Sequence, residues 1–358
     1  MRLAVAALLP LLAAAQPKPL RLAIAGLNHG HVTGFLTAAA QRHDVELAGV
    51  WDPQPELRAK YAARYHLAPN LFYADLGKML DEVKPEAVAT FTDTAAHAAV
   101  VEAAARRHIA VMMEKPLAVS VEQARAMKRA SEQYGVPVIV NYETTWYRSH
   151  GEIWTLMHQQ KAAGEIRRMV AMDGHQGPKE INVQPEFLDW LRDPVRNGAG
   201  ALFDFGCYGA NLMTWLMDNE RPLKVTALAQ TNKPAIYPKV DDEATILLEY
   251  PKAQGVIEAS WNWPFSRKDL EVYGEKGYAI ATGGDKLRVR LPGDKDDHER
   301  ALPELPHDVR DSISYLIAVT RGAVKPAGLS SIDNNVIVVE ILSAARESAR
   351  TGRTVTLH

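Results

Sequence analysis

In the stretch Val111-Met112-Met113-Glu114-Lys115-Pro116-Leu117, an apolar run ends abruptly in two opposite charges and a proline. Residues 109–113 predict a short buried strand. Proline cannot donate a ladder hydrogen bond, so the strand must end and the chain must turn there. Ligands of open α/β sheets lie beyond the carboxyl ends of the strands. We therefore expect Glu114 and Lys115 to face a ligand, with a solvated charge pair at a strand end as the alternative.

Upstream of this stretch, residues 20–52 predict a dinucleotide-binding unit. The strand Leu20–Ala25 leads into the turn Gly26-Leu27-Asn28-His29-Gly30-His31, and a helix and a second strand follow, which ends at Asp52. In such units an acid about 20 residues after the glycine turn binds the adenosine ribose hydroxyls. Asp52 therefore favours NAD over NADP, because a carboxylate repels a 2′-phosphate. The turn departs from the usual glycine pattern at Asn28 and His31.

Strands and helices continue to alternate as far as Asn141, which predicts a doubly wound parallel sheet in a Rossmann domain at residues 16–142. The strand at 87–91 ends in Thr92-Asp93-Thr94-Ala95-Ala96-His97. We expect Thr92, Thr94 and His97 to face the cofactor. Capping of the following helix is an equally good interpretation of these residues.

The second half, residues 143–358, shows a different pattern. Residues 201–217 predict a helix that carries Asp204, Tyr208 and Asn211 on neighbouring turns, after an irregular stretch at 174–200. Five short alternating segments between 223 and 281 predict a largely antiparallel open sheet with one face covered. This region is therefore expected to be a second domain, built of helices and an antiparallel sheet.

Length and composition fit a globular protein of about two domains. The chain has 358 residues, of which 47% are hydrophobic and 23% charged, and its net charge is −2. No long basic run is present, so we expect no nucleic-acid partner and no binding to an anionic membrane surface. The single cysteine, Cys207, excludes an intrachain disulfide and a cysteine-based zinc site. On the 201–217 helix we expect it to be a buried, inert thiol.

Residues 1–15 have the pattern of a secretory signal peptide. Arg2 precedes an apolar run at 3–12, and Ala13-Ala14-Ala15 follows it. The run is too short to span a membrane, so we expect cleavage after Ala15 and no membrane span. The mature protein is then periplasmic or secreted, and a disordered or wrongly started N-terminus is the alternative.

In order and spacing, these motifs resemble the Gfo/Idh/MocA oxidoreductase family over nearly the whole mature chain. The matching features are the turn at Gly26, Asp52, residues 92–97, Glu114-Lys115-Pro116 and Asp204-Phe205-Gly206-Cys207-Tyr208. The resemblance implies a Rossmann domain, a C-terminal α/β domain whose open sheet forms a dimer face, and a cis Lys115–Pro116 bond. It also implies hydride transfer between nicotinamide and a sugar or cyclitol hydroxyl.

The catalytic helix departs from the commonest family pattern. Tyr208 stands where many members carry histidine, and Asn211 stands where they carry a second aspartate. Tyrosine at this position is similar to the glucose–fructose oxidoreductase and dihydrodiol dehydrogenase branches of the family. The cofactor contacts that follow from the turn motifs and the resemblance are Gly26, Asn28, His29, Gly30, His31, Asp52, Thr92, Thr94, His97, Glu114 and Lys115.

Oxidation of a secondary alcohol requires an acceptor for the hydroxyl proton and a cation near the developing alkoxide. We expect Lys115 to be the cation and Tyr208 to exchange the proton, provided that the nearby ammonium and the nicotinamide favour its phenolate. Asp204 lies one helical turn from Tyr208 and is expected to bond the substrate or Lys115. A core aromatic on an amphipathic helix is the alternative for Tyr208.

Four further side chains are hypotheses for a sugar site, because sugar faces stack on aromatic rings and hydroxyls bond guanidinium groups. They are Trp146, Arg148, Trp190 and Arg192, for each of which structural packing is an equal alternative. We expect no metal, because His29 and His31 have no acid near them in the sequence.

Three functions follow from these features. The first is an NAD-dependent oxidoreductase of a sugar or polyol that retains its cofactor, since an exported protein works where free NAD is scarce. The second is an NAD-retaining enzyme that cleaves glycosides by oxidation, elimination, hydration and reduction. The third is a non-catalytic sugar- or nucleotide-binding protein. The expected partners are a small carbohydrate or polyol and a second copy of the chain, bound through the C-terminal sheet.

Overall fold

We describe residues 18–357 of a computed structural model of the protein; the expected leader at 1–15 lies outside these residues. The first half forms one sheet of six parallel strands. They are β1 Leu20–Ala25, β2 Val45–Trp51, β3 Phe72–Tyr73, β4 Ala87–Thr90, β5 Ala110–Glu114 and β6 Val138–Asn141. Their order, β3-β2-β1-β4-β5-β6, changes direction at β1, as a doubly wound sheet does. This confirms the predicted Rossmann architecture.

Helices cover both faces of this sheet. They are α1 Val32–Ala40, α2 Pro55–Tyr65, α3 Leu76–Val83, α4 His97–Ala105 and α5 Val121–Tyr134. Successive strand residues point to opposite faces, so Val111 and Met113 of β5 pack with α3, α4 and α5, whereas Met112 packs with α1 and α2. A strand that is buried on both sides must be apolar throughout, which explains the unbroken apolar run before Glu114.

The second half forms a mixed sheet of nine strands. They are β7 Ile166–Gly174, β8 Lys224–Gln230, β9 Glu243–Glu249, β10 Gln254–Ser260, β11 Arg267–Gly274, β12 Tyr278–Thr282, β13 Leu287–Arg290, β14 His298–Glu299 and β15 Val355–Thr356. The order is β14-β13-β12-β11-β7-β10-β9-β8-β15. All neighbours pair antiparallel except β7 and β10, which run parallel. The sheet is therefore largely antiparallel, as predicted, with one parallel pair in its middle.

The second half also contributes seven helices among the described residues. They are α6 Arg148–Trp154 with a following π-helical turn, α7 Pro185–Leu191, α8 Pro194–Asn197, α9 Ala201–Asp204, α10 Gly206–Leu216, α11 Ser312–Thr320 and α12 Ile332–Thr351. None of the helices in residues 18–357 is long and apolar enough to cross a membrane. α11 returns to the first sheet, because Ile313 and Leu316 pack in the same cluster as α1 and α2. The sequence-based division at residue 142 did not foresee this return.

The predicted helix at 201–217 is interrupted at Phe205 and forms α9 and α10. α10 lies very close to the second sheet, because a Cβ on Gly209 would stand 2.7 Å from Ile257 Cγ2 of β10. Glycine at this position lets the helix approach the strand. The interruption and the close packing place Asp204 and Tyr208 at the junction of the two sheets.

The irregular stretch at 174–200 contains the two short helices α7 and α8, which the sequence analysis missed. Each begins at a proline, Pro185 or Pro194, at the first helical position, where the missing N–H costs nothing. Asp193 caps α8 by accepting a hydrogen bond of 2.8 Å from the N–H of Val195. A proline in the first turn was the sequence signal for both helices.

Candidate active site

Lys115 lies at the turn that ends β5, where the chain passes into a cis Lys115–Pro116 bond, as the resemblance implied. His97 forms a hydrogen bond to this turn, because its Nδ1 is 3.2 Å from the carbonyl oxygen of Leu117. His97 is 1% exposed. It therefore holds the lysine turn from inside the protein. Asp93 caps the following turn by accepting a hydrogen bond of 3.1 Å from the N–H of Ala96.

The ammonium of Lys115 forms a buried ion pair with the Asp204 carboxylate and also donates to the Asp204 carbonyl oxygen at 2.9 Å. The other carboxylate oxygen of Asp204 accepts from Trp261 Nε1 at 3.0 Å. Burial alone would lower the pKa of Lys115, but the Asp204 charge outweighs it and the pKa lies above its usual value. Lys115 is therefore a fixed cation, and Asp204 holds it in position.

Tyr208 is 2% exposed, and two ammonium groups lie near its ring. Lys115 Nζ lies 5.1 Å and Lys268 Nζ 4.6 Å from the ring centroid, and Lys268 Nζ is 3.5 Å from the phenol oxygen. Burial, followed by nearby carboxylates, raises the pKa of Tyr208 well above its usual value. This differs from the expected phenolate: Tyr208 is a protonated hydrogen-bond donor, because desolvation disfavours the charged form.

Lys115, Asp204 and Tyr208 share a cavity of about 560 Å³. Two further residues of its lining, Glu143 and Lys268, form an ion pair with each other. His175 also lines it and follows directly on β7. The sequence analysis missed these three residues, although His175 follows the end of β7 in the same way as Lys115 follows the end of β5.

Asp173 is a buried carboxyl at the end of β7, close to these groups. Its Oδ2 has no hydrogen-bond partner among the described residues. Burial raises its pKa well above the usual value, because desolvation disfavours the charged form.

The glycine turn has the local geometry that a dinucleotide site requires. Gly26 has φ 93°, and a Cβ there would lie 2.5 Å from Thr92 Cγ2, so only glycine fits between β1 and the end of β4. Asp52 stands at the end of β2, as predicted. Its Oδ2 accepts from the N–H of Leu27 at 2.7 Å and its Oδ1 from the N–H of Gln54 at 2.8 Å.

Residues 184–197, here named the crossing segment, lie over this turn. Trp190 Nε1 donates to the carbonyl oxygen of Asn28 at 3.0 Å, and the Phe187 ring centroid is 4.5 Å from that of His29. A Cβ on Gly30 would lie 2.6 Å from Phe187 Cδ1. The two aromatic side chains therefore occupy the space directly above the turn.

Ion pairs hold the crossing segment at both ends. Glu186 bonds Lys60 of α2 at 2.5 Å, and Arg196 bonds Asp93, beyond β4, at 2.9 Å. The expected cofactor residues Asn28, His29, Asp52, Thr92, Thr94 and His97 are each at most 9% exposed.

The residues expected to hold a nicotinamide dinucleotide therefore fit it in kind and position, and the crossing segment lies against three of them, Asn28, His29 and Gly30. Gly30 and His31 remain in contact with the cavity, together with Lys115.

The four side chains suggested for a sugar site lie apart from one another. Trp190 does not line the cavity of Lys115, because it is 1% exposed and packs on the glycine turn. Arg148 lines another cavity and bonds Asp285 and Glu304. Trp146 borders a neighbouring cavity of about 750 Å³, and Arg192 has a buried Nε without a partner among the described residues. Direct substrate contact by any of them stays a prediction.

His29, His31 and Glu114 form a cluster that the sequence analysis did not anticipate, since it found no acid near the histidines. One ligand atom from each lies within 4.8 Å of the others. However, they bond one another: His29 Nδ1 accepts from the N–H of His31 at 3.2 Å, and His31 Nδ1 is 3.0 Å from Glu114 Oε2. Hydrogen bonding therefore accounts for the cluster, and the absence of a metal stays a prediction.

The chain has relatives among characterised dehydrogenases. Over 237 residues it is 26% identical to the trans-1,2-dihydrobenzene-1,2-diol dehydrogenase of Xenopus laevis, which covers 65% of this chain and 66% of that enzyme. Over 298 residues it is 24% identical to D-apiose dehydrogenase of Rhizobium rhizogenes, which covers 79% of this chain and 82% of that enzyme.

Solved structures share the fold over nearly the whole chain. Aldose-aldose oxidoreductase from Caulobacter crescentus, complexed with glycerol, has a TM-score of 0.80 at 23% identity and covers 95% of this chain and 100% of its own. An inositol dehydrogenase homologue from Azotobacter vinelandii, complexed with NAD+, has a TM-score of 0.80 at 20% identity and covers 95% and 98%.

Two models of one family match the two halves in order. Residues 20–142 match the oxidoreductase family with an NAD-binding Rossmann fold, and residues 156–280 match the GFO/IDH/MocA C-terminal domain. With the Rossmann sheet, the mixed sheet and the lysine turn between them, the chain belongs to the Gfo/Idh/MocA family of NAD-binding oxidoreductases.

Proposed function

We propose that the protein is an NAD-dependent oxidoreductase that transfers a hydride between nicotinamide and a hydroxyl of a sugar or polyol. The observation that carries this proposal is the Lys115 ammonium, fixed by Asp204 in a polar cavity beyond the end of β5. Relatives that act on diols and sugars support the substrate class. A cavity of about 560 Å³ is of a suitable size for a small carbohydrate.

Four polar groups of the cavity have a defined part in this reaction. The nicotinamide, when bound, accepts or supplies the hydride at the carbinol carbon. Lys115 stabilises the negative charge that develops on the substrate oxygen, since its ammonium is already oriented and desolvated. Tyr208, protonated, donates a hydrogen bond to the same region. The pair of Glu143 and Lys268 offers a carboxylate and an ammonium to the remaining hydroxyls.

The nucleotide enters when the crossing segment moves off the glycine turn. Once the segment closes again, Trp190, Phe187 and the two ion pairs oppose dissociation. A small dissociation rate is the usual route to tight retention. We therefore propose that the cofactor stays bound through the catalytic cycle.

Retention is tested by purifying the mature protein without added nucleotide, denaturing it and assaying the supernatant for NAD. Stoichiometric NAD is expected. Empty protein that binds NAD weakly and turns over only with added NAD would contradict retention but not the dehydrogenase activity.

A panel of sugars and polyols, read out by NADH absorbance or by reduction of a second sugar, tests the activity. The absence of hydride transfer to or from any of them would contradict it.

The position of the crossing segment over the glycine turn also favours a second function, the redox-neutral cleavage of glycosides on a retained nucleotide. In that reaction no net NADH forms, so the nucleotide never has to leave. Release of an aglycone without net NADH would support this second function. Sugar binding without turnover would support the third function, a binding protein.

We further propose that the outer face of the second sheet joins two copies of the chain. Leu247, Val256 and Val170 lie side by side on neighbouring strands of this face, and Ile280 lies two strands further on. Leu247 is 48% exposed, and Leu228 on the adjacent strand is 73% exposed. Apolar rows of this kind mark association surfaces.

Export to the periplasm or the medium is likewise a proposal, carried by the residue pattern at 1–15. Cell fractionation and N-terminal sequencing test it. A mature chain that begins at Gln16 in the exported fraction is expected, and an uncleaved chain in the cytoplasm would contradict it.

A further inference from the structure

His31 stands where the glycine turn enters α1, and its side chain is 47% exposed. It lines both the cavity of Lys115 and the neighbouring cavity of about 750 Å³. Glu114, directly before Lys115, is by contrast 2% exposed. An accessible imidazole therefore stands against a buried carboxylate at the edge of the proposed site.

The hydrogen bonds fix which nitrogen of His31 carries the proton. Nδ1 lies 3.0 Å from Glu114 Oε2, and Asn141 Nδ2 donates to Glu114 Oε1 at 2.9 Å. Burial alone would raise the pKa of Glu114, but the His31 contact and the Asn141 bond outweigh it and the pKa lies below its usual value. A carboxylate only accepts, so Nδ1 of His31 must donate. In the tautomer that has its hydrogen on Nδ1, Nε2 keeps its lone pair.

The other two imidazoles nearby have the opposite arrangement. His175 Nδ1 accepts from the N–H of Gly177 at 2.9 Å, and His29 Nδ1 accepts from the N–H of His31 at 3.2 Å. In both neutral rings Nε2 therefore carries the hydrogen and donates. Burial lowers the pKa of both, so they stay neutral.

The remaining groups of the cavity are poor proton acceptors. Lys115 is protonated, Tyr208 is protonated, and both Asp204 oxygens are bonded, one by Lys115 and the other by Trp261. Glu143 forms an ion pair with Lys268, and Asp269 forms one with Arg267. His31 also lines this cavity, and with the hydrogen on Nδ1 its imidazole is left with a lone pair on Nε2.

We propose that His31 accepts the substrate hydroxyl proton at Nε2, with Glu114 as the positioning residue behind it. This inference rests on the proposed oxidoreductase function. In the oxidation direction the O–H bond breaks and the proton moves to Nε2, while the C–H electron pair leaves as hydride to the nicotinamide and a C=O bond forms. Glu114 stabilises the imidazolium that results, in the way the aspartate of a hydrolase triad does. In the reduction direction His31 returns the proton.

The kinetic test uses His31→Gln and His31→Ala. We expect kcat to fall by about 10²- to 10⁴-fold, which is typical for loss of a general base, with KM little changed. Added imidazole should restore part of the kcat of His31→Ala, because it replaces the missing base. Glu114→Gln should give a smaller loss, since it keeps the acceptor but removes the charge. His43→Gln, at an exposed loop position, is the matched control.

A second measurement does not depend on turnover. Long-range ¹H–¹⁵N NMR of the imidazole nitrogens should show the proton on Nδ1 of His31 and on Nε2 of His175. A His31 ring with the proton on Nε2, or full kcat in His31→Gln, would overturn the inference and leave the proposed function intact. If the wild-type protein shows no hydride transfer, the proposed function fails. The NMR spectrum then still tests the geometry, because it shows whether the hydrogen of His31 lies on Nδ1.

Discussion

Lys115 combines two tasks at the residue scale, because its ammonium serves the proposed chemistry and neutralises the buried Asp204. Lys115→Ala should therefore lose most of kcat and also leave an unpaired buried charge, which typically costs about 3–5 kcal/mol of stability. The double variant Lys115→Ala/Asp204→Asn removes that charge. We expect it to recover much of the melting temperature and none of the activity.

Measuring kcat and Tm on both variants separates the two tasks, and activity in either variant near that of the wild type would contradict the assignment.

The dependence of stability on pH is a further test of the ion pair between Lys115 and Asp204. The pKa of Asp204 is lowered in the folded protein, because Lys115 outweighs the effect of burial. Its contribution to stability is therefore present above the pKa of the unfolded carboxyl and lost as the pH falls through the folded pKa. The wild type should lose more stability on acidification than the double variant.

Tyr208 is a second residue whose role can be measured. Because burial keeps its phenol protonated, we expect Tyr208→Phe to remove one hydrogen-bond donor and to lower kcat by about 10²- to 10³-fold. Its fold should be retained, since the ring still packs against Tyr142 at a centroid distance of 5.5 Å. A large fall in Tm with kcat preserved would show that Tyr208 is only a core aromatic.

At the scale of elements, the proposed function requires the crossing segment to move so that NAD can reach the glycine turn. Its anchors are few, so removing one should speed both the entry and the loss of NAD. Glu186→Gln breaks the ion pair with Lys60, and Trp190→Phe removes the hydrogen bond to the Asn28 carbonyl. Stopped-flow fluorescence of NAD binding and release measures both rates.

The matched control for Glu186→Gln is Glu82→Gln on α3, which breaks an exposed pair with Lys78. This control should leave the nucleotide rates unchanged. Equal rates in the wild type and in both crossing-segment variants would show that NAD does not pass beneath the segment.

At the scale of the whole molecule, the outer face of the second sheet determines whether two copies associate. Leu247→Lys places a charge on the most exposed residue of the apolar row across β9, β10 and β7, at its β9 end. We expect a dimer of the wild type to become a monomer, measured by light scattering after size-exclusion chromatography. Val195→Lys on α8, at a residue 73% exposed and far along the chain from this face, is the control. A monomeric wild type would contradict the proposed dimer.

The sequence by itself determined the first sheet and the place of Lys115. Both depend on local patterns: strands buried on two faces must be continuous apolar runs, and proline after Lys115 ends the strand where ligands bind. The helix with Asp204 and Tyr208 was also predicted, although its interruption at Phe205 was not.

Only the tertiary structure decided how distant side chains meet. His31 and Glu114 are 83 positions apart, and Asn28 and Trp190 are 162 apart, so no local periodicity reports either contact. The protonation of Tyr208 was likewise decided by burial between the two sheets, which outweighs the nearby ammonium groups. The pattern of apolar residues and prolines along the chain fixes where strands end. Desolvation and pairing across the assembled core fix the charge and the hydrogen-bonding role of each group.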